Sequence, residues 1–173
     1  MLERTEDEAL KQVAQAMVLA ARTAPKGKGQ DNLAIVILER EEIEQVIAKM
    51  EDLGQKYELP AFIRDAKTLK EHVKMALLLG TRISPLGLKY CGLCGFKNCG
   101  ENKQSQGHCV FNTGDLGIAI GSAASVAAKC HADNRILYTM GMAALDLKLL
   151  GEEVKVAYGI ALSATAKNPF FDR

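Results

Sequence analysis

Four of the chain's five cysteines lie close together, from Cys91 to Cys109, with the spacing C-x2-C-x4-C-x9-C. The residues around them, 80–114, also hold seven of the fifteen glycines and show no sustained hydrophobic period. A long segment without regular structure inside a compact domain is usually functional. We therefore expect 80–114 to be an irregular, cysteine-rich metal-binding segment inserted in a larger fold.

The overall composition is that of an ordinary globular chain. Its 173 residues are 48% hydrophobic and 25% charged, which predicts a single domain over 1–173. The net charge of +1 provides no general attraction to nucleic acid or to a membrane surface, so we expect neither as a partner.

The cellular location is expected to be the cytoplasm. No apolar run approaches the roughly 20 residues of a membrane span, and the N-terminal sequence is acidic and amphipathic, unlike a signal peptide. In a reducing compartment, clustered cysteines are ligands or redox groups before they are disulfides. We expect the fifth cysteine, Cys130, to be a buried core thiol.

Hydrophobic patterns of helical and strand type alternate along the chain, which predicts an α+β fold. Asp115 is expected to cap a long, small-residue helix. Helices are expected over 5–22, 40–56, 66–79 (the last five residues fit a strand equally), 115–131 and 143–150, and strands over 33–38, 62–63, 136–138 and 154–162.

The cysteine spacing suits a metal centre held by thiolates. Cys91 and Cys94 form a C-x-x-C pair whose thiolates reach one metal from a tight turn, and Cys99 and Cys109 complete a set of four. Zinc ribbons usually pair two such C-x-x-C units, and only one is present here, which favours an iron–sulfur cluster over structural zinc. A dithiol redox pair and four unbound thiols remain as further interpretations.

The segment CGLCGFKNC resembles the small iron–sulfur domain of carbon monoxide dehydrogenase/acetyl-CoA synthase subunits and of membrane electron-transport-complex subunits. That resemblance implies that Cys91, Cys94, Cys99 and Cys109 bind one 4Fe–4S cluster, although the gap before Cys109 is shorter here. Nearly the whole chain also resembles a family of small prokaryotic proteins described as containing a ferredoxin domain. Residues 20–32, the cysteine segment and residues 159–173 carry this second resemblance, which implies a cluster.

Both ends of the chain resemble flavin-dependent nitroreductases, through residues 21–25, Asn32 and the order of elements in 115–173. This resemblance implies a nitroreductase-like α+β fold, with a mixed sheet flanked by helices, and an intertwined homodimer that binds FMN at the subunit interface. A solvated basic loop is the alternative interpretation of the cations near residue 26. The expected flavin-binding residues are Arg22, Lys26, Lys28, Asn32 and Arg173.

Three functional hypotheses follow. The first is an iron–sulfur redox protein that transfers electrons or senses redox state, coupled to a flavin or to a partner redox protein. The second is a scaffold or binding module whose cysteine segment holds zinc without redox chemistry. The third is an FMN-dependent, nitroreductase-like oxidoreductase. Because the chain contains no nucleophile–base signature or P-loop, an oxidoreductase is the one class of enzyme we expect.

Overall fold

A four-stranded sheet lies at the centre of the computed structural model, which describes the backbone of residues 2–171 and the side chains of residues 5–171. The strands follow the order β1-β2-β4-β3, and all three pairings between them are antiparallel. The strands are β1 (Leu33–Leu38), β2 (Met75–Arg82), β3 (Asp133–Leu137) and β4 (Val154–Ser163).

The antiparallel pairing corrects the expectation of a mixed sheet, since none of the described strands pairs in parallel. The connection between β1 and β2 shows the reason. It contains two helices rather than one, so the chain reverses direction an odd number of times before it pairs with its neighbour. A single crossover helix would have returned the next strand in parallel.

Helices cover both faces of the sheet. Those on one face share a buried cluster around Met50 and Met140, and those on the other share a cluster around Met17 and Leu116. None of the helices within residues 2–171 is long and apolar enough to cross a membrane. The first face carries α2 (Arg40–Lys56), α3 (Pro60–His72) and α6 (Tyr138–Asp146), the second carries α1 (Leu2–Thr23) and α5 (Val110–Lys129), and the short α4 (Cys99–Gln104) lies after β2.

Strand β2 belongs to both clusters. Ala76 and Leu78 pack with α2, α3 and α6, whereas Leu77 and Leu79 pack with α1 and α5. All residues from Met75 to Thr81 are buried. A strand that is covered on both faces has no alternation of apolar and polar residues, which is why this part of the sequence fitted a helix and a strand equally.

Several expected boundaries are wrong. Phe62 and Ile63 lie in α3 rather than in a strand, because Pro60 occupies the first turn of that helix, a position that proline favours. Helix α5 begins at Val110, so Asp115 lies inside the helix and does not cap it. Tyr138 begins α6 instead of ending a strand.

Candidate metal centre

The cysteine-rich segment connects the end of β2 to the start of α5, and it is more regular than predicted because it contains α4. Asn98 caps α4 by accepting a hydrogen bond from Glu101 N at 3.0 Å. Where the segment leaves β2, Ser84 N donates to Asn112 Oδ1 at 2.8 Å, and Asn112 is fully buried on α5. The segment is therefore fixed to the core near both of its ends.

The four expected metal ligands lie in a turn and at helix starts. Cys94 lies in a tight turn of residues 92–95, in which Gly95 N donates to Gly92 O at 2.9 Å, and Cys91 directly precedes this turn. Gly95 has a φ of 84°, which glycine adopts without strain. The third and fourth cysteines are the first residue of α4, Cys99, and the residue that precedes α5, Cys109. All four are free thiols, and Cys109 is buried.

The four sulfur atoms do not meet at one point in this structure. Among the side chains of residues 5–171, no group of three or more His, Cys, Asp or Glu residues is arranged to hold a metal ion. The structure thus gathers the four cysteines in one connection of the fold, while their sharing of one centre stays a prediction.

Asn102 links the two halves of the segment. Its Nδ2 donates to Cys94 Sγ at 3.4 Å and to His108 O at 3.2 Å, and its side chain is only 1% exposed. His108 directly precedes Cys109, so one amide contacts both the C-x-x-C turn and the residue next to the last cysteine. Sequence reasoning missed Asn102, because an amide in a polar segment carries no signature of this contact.

The residues present fit a thiolate-bound centre. Four thiols in one loop form the soft ligand set that iron–sulfur clusters and zinc use. Hydrogen bonds to ligand sulfurs tune such centres, and the Asn102 amide donates one. The Oδ1 atom of Asn102 is buried without a partner, so the interior of the loop contains a hydrogen-bond acceptor that no described donor reaches.

Cys130 does not belong to this site. It is exposed, which corrects the expectation of a core thiol. Cys130 and Cys109 flank the 20-residue helix α5 at opposite ends, which at 1.5 Å per residue separates them by about 30 Å. Cys130 therefore serves as an internal control for experiments on the other four cysteines.

Arg22, the first of the residues expected to bind flavin, forms an ion pair. Its Nη1 lies 2.5 Å from Asp31 Oδ2 and also donates to Leu33 O at 3.2 Å. Burial raises the pKa of Asp31, but the hydrogen bonds from Arg22 and from Leu33 N, together with the charges of Arg22 and Lys26, outweigh burial. The net result is a pKa for Asp31 below its ordinary value of 3.8. The charge of Arg22 is thus balanced within the protein.

Lys26 and Lys28 contact backbone oxygens. Lys26 Nζ donates to three carbonyl oxygens at the end of α1, the shortest bond being 2.7 Å, where a cation complements the helix dipole. Lys28 Nζ donates to Leu86 O at 3.2 Å. The Nδ2 atom of Asn32 is buried without a partner. Flavin binding by these residues stays a prediction, and Arg173 lies outside the described residues.

The loop 24–30, which contains Lys26 and Lys28, packs against the part of the cysteine-rich segment near Leu86. Gly27 N donates to both carboxylate oxygens of Asp115 at 3.0 Å. A Cβ atom at position 27 would lie 2.6 Å from Leu86 Cδ1 and 3.4 Å from Phe111 Cδ1, so a larger residue there would displace its neighbours. Asp115 therefore joins the loop to α5, a contact that the sequence pattern did not reveal.

Two cavities in the described part of the chain differ in character. One, of about 400 Å³, is mostly apolar and includes Tyr90, Cys91 and Leu93 in its lining. The other, of about 780 Å³, lies at the start of β2 and is lined largely by charged side chains such as Lys11 and Glu39. No residue expected to bind metal or flavin lines the larger cavity, so the smaller one is the cavity associated with the candidate site.

This chain is similar in sequence to a described protein family and to an archaeal protein. Residues 105–173 match a family described as "Uncharacterized protein containing a ferredoxin domain", a range that includes Cys109 and excludes the other three expected ligands. An uncharacterised protein from Archaeoglobus fulgidus is 38% identical over 175 residues, which cover 96% of this chain and 93% of the relative. This relative therefore spans the entire cysteine-rich segment.

Similar solved structures are flavoproteins and nitroreductases. A BluB-like flavoprotein from Clostridium difficile has a TM-score of 0.58 and 20% identity, with 94% of this chain and 85% of that chain covered. A putative nitroreductase in complex with FMN from Desulfovibrio desulfuricans has a TM-score of 0.60 and 12% identity, with 94% and 78% covered. A nitroreductase with bound FMN from Desulfitobacterium hafniense has a TM-score of 0.57 and 15% identity, with 94% and 82% covered.

At these identities the structural likeness concerns the fold alone, and it confirms the nitroreductase-like α+β architecture. The sequence match over nearly the whole chain decides the family. This chain belongs to the family of uncharacterised proteins that contain a ferredoxin domain, and it has a nitroreductase-like fold.

Proposed function

We propose that this protein is an iron–sulfur redox protein that binds one 4Fe–4S cluster through Cys91, Cys94, Cys99 and Cys109. The observation that carries the proposal is the position of the four free thiols in one connection that is fixed to the core near both ends. The hydrogen bond from Asn102 to one of these sulfurs supports it, as does the ferredoxin domain in the family description.

The chain's own residues would stabilise the charge of such a centre. When bound, a cluster of this type supplies one-electron transfer. Cys109 stands at the N-terminus of α5, where the partial positive charge of the helix would stabilise the negative charge of a bound cluster. The Asn102 amide donates to Cys94 Sγ and favours negative charge on that sulfur. The protein therefore offers stabilising groups at two of the four ligands.

Purification without oxygen, followed by measurement of iron, sulfide, zinc, flavin and the visible spectrum in one sample, tests the proposal. We expect about four iron and four sulfide per chain and a visible absorption that bleaches on reduction. The variant Cys94→Ser should lose the iron. The matched variant Cys130→Ser should retain it, because Cys130 is exposed and lies at the far end of α5.

Two outcomes would overturn parts of the proposal. A colourless protein with one zinc ion per chain would replace it with the scaffold hypothesis, in which the metal only orders the loop. A Cys94→Ser variant with unchanged iron content would reject the ligand assignment while leaving a cluster elsewhere.

A second proposal is that FMN binds beside the loop 24–30. Two of the similar solved structures hold FMN. In this chain the loop contacts α5 through Gly27 and Asp115 and the cysteine-rich segment through Lys28 and Leu86. Titration of FMN should quench flavin fluorescence, and Lys28→Gln should weaken that binding more than Lys129→Gln. A well-folded protein without affinity for FMN would remove this proposal.

We also propose a homodimer that uses the exposed face of α5. Ile118 on this face is 48% exposed, and a Cβ atom at Gly114, Gly117 or Gly121 would have nothing within 4 Å. Such small residues allow another helix to approach closely. Between Val110 and Ala128 the one charged residue is Asp115, which is largely buried. The exposed faces of α5 in two copies of the chain would therefore not repel each other electrostatically.

The proposed location is the cytoplasm. All five cysteines are free thiols, as suits a reducing compartment, where the protein would exchange electrons with a partner redox protein.

A further inference from the structure

Apolar side chains are exposed around Cys91. The cavity of about 400 Å³ is lined by Leu88, Tyr90, Cys91, Gly92, Leu93 and Phe111. Tyr90 is 99% exposed and Leu93 is 72% exposed. Apolar residues that are exposed together, rather than singly, mark a surface of interaction. We call these six residues the Cys91 surface.

Exposed lysines accompany the Cys91 surface along the chain. Lys89 stands between Leu88 and Tyr90, and Lys97 and Lys103 follow in the same segment. All three are exposed, and none forms an ion pair with a described carboxylate. Glu101 is the one acidic residue in the sequence from 82 to 109, and its carboxylate accepts a hydrogen bond from Lys97 N at 2.5 Å. Apart from the cysteines, the side chains of the segment thus carry a net positive charge, which would exceed what is needed to offset the negative charge of a thiolate-bound cluster in its oxidised form.

We propose that the Cys91 surface is the docking site of an acidic electron-transfer protein. The proposal rests on the proposed function, since Cys91 is both an expected cluster ligand and part of the exposed lining. The apolar side chains would supply the contact, and the lysines would attract and orient a partner with carboxylates around its own redox centre. An apolar centre with a polar rim is the usual anatomy of such an interface.

The reaction at this surface is the transfer of one electron. The reduced partner is oxidised by one electron and this protein is reduced by one electron. No bond forms or breaks, and no proton transfer is required. The partner is therefore defined by chemistry: an acidic protein that carries a one-electron donor close to its surface.

The test uses a reduced, acidic plant-type [2Fe–2S] ferredoxin as the probe and the cluster-loaded protein as acceptor. Stopped-flow absorbance gives the second-order rate of electron transfer at low and high salt. The triple variant Lys89→Glu, Lys97→Glu, Lys103→Glu should slow the reaction about tenfold or more at low salt, with the difference shrinking at high salt. The double variant Tyr90→Ser, Leu93→Ser should slow it at every salt concentration.

A matched variant controls for net charge. Lys56→Glu, Lys67→Glu, Lys155→Glu changes the total charge equally on α2, α3 and β4, where all three lysines are exposed, and it should leave the rate nearly unchanged. Reduction by photoreduced 5-deazariboflavin, a small uncharged donor, should be equal in all variants and shows that each one holds an intact centre.

Three outcomes would overturn the docking proposal. Equal slowing by the two lysine triples would mean that only net charge matters. Loss of a dimer in sedimentation of the Tyr90, Leu93 variant would assign the surface to a second copy of this chain. Burial of Tyr90 on cluster loading, seen by NMR with a soluble paramagnetic probe, would assign it to closure of the loop. A chain that binds no cluster fails earlier, in the metal analysis, so that failure of the proposed function is recognised separately.

Discussion

Asn102 shows how a single side chain organises the candidate centre. Its amide donates to Cys94 Sγ and to the carbonyl of His108, and Gly107 leaves the space that this arrangement needs, because a Cβ there would lie 2.9 Å from Asn102 Nδ2. A donor to a ligand sulfur stabilises the additional negative charge of a reduced centre. Asn102 is therefore a positioning residue whose effect belongs in the reduction potential.

We expect Asn102→Asp to lower the reduction potential of the loaded protein, because it replaces the donor with an acceptor of the same shape. A tenfold change in the one-electron equilibrium corresponds to about 60 mV, and we expect a shift of that order in a redox titration followed by visible absorption. The matched variant Asn98→Asp adds the same charge to the same segment and keeps the cap on α4, since aspartate and asparagine cap helices equally well. Equal shifts in the two variants would contradict a specific role for the Asn102 amide.

The elements of the site differ in how firmly they are held. β2 is buried on both faces, and α5 packs along the sheet. Between them, the turn around Cys91 and the six-residue α4 contribute little to either buried cluster. The four thiols therefore lie outside both buried clusters, where ligand binding can order the chain without disturbing the core.

Loading with iron and sulfide is expected to slow amide hydrogen exchange in residues 88–108 and to leave β2 and α5 unchanged. The physical reason is that shared ligation would join the turn, α4 and the residue before α5 to one another, and such links oppose local opening of the loop between them. Exchange followed by mass spectrometry measures this difference. Cys94→Ser should show the slow exchange in β2 and α5 without the added protection of the loop, whereas identical patterns in loaded and unloaded protein would contradict the ordering of the loop by ligation.

Sequence patterns predict the helices and strands correctly where the hydrophobic pattern fits only one type of secondary structure. The bounds 33–38 and 40–56 are confirmed, because a β-branched run and an amphipathic stripe each have one interpretation. Phe62 and Ile63 were assigned wrongly, since a pair of apolar residues has no measurable period. Helix α5 began earlier than expected because the residue before it, Cys109, makes no side-chain cap. Boundaries without a capping residue leave no mark in the sequence.

The candidate site was predicted in part for a related reason. The spacing of the cysteines is a property of the sequence, so they were found. The contact of Asn102 with Cys94 and that of Asp115 with Gly27 depend on how α4, α5 and the loop after α1 meet in space. Such contacts arise only in the complete fold, so the sequence pattern of a single helix or loop does not predict them.

On the scale of the whole molecule, two helices containing glycine have opposite surroundings. Gly141 on α6 faces the backbone of β4, where a Cβ would overlap the carbonyl of Ala157. Gly121 on α5 faces open space. The first glycine is thus required for a helix to lie against the sheet, and the second leaves an outer surface free for a second copy.

Gly141→Ala is expected to lower the free energy of unfolding by about 2–3 kcal/mol, because overpacking at a helix–sheet contact moves the backbone. Gly121→Ala in the monomer should raise it by about 0.5–1 kcal/mol, the difference in helix propensity. Urea unfolding at low protein concentration measures both values. If α5 forms the dimer interface, the Gly121→Ala variant should become less stable than the unsubstituted protein at high protein concentration. A free energy of unfolding of the unsubstituted protein that does not depend on its concentration would contradict that interface.

The attachment of the cysteine-rich segment to β2 and α5 has a consequence for damage and repair. Iron–sulfur centres are vulnerable to oxygen, and proteins whose fold depends on the metal are lost when the metal leaves. Here the hydrogen bond from Ser84 N to the Asn112 amide oxygen fixes the start of the cysteine-rich segment to α5 without a sulfur ligand. Both buried clusters are formed mainly by residues outside the segment. If the chain binds the proposed cluster, we therefore expect a protein that has lost it to keep the folded core on which the cluster can be rebuilt, so that oxidative damage to the cluster would be reversible.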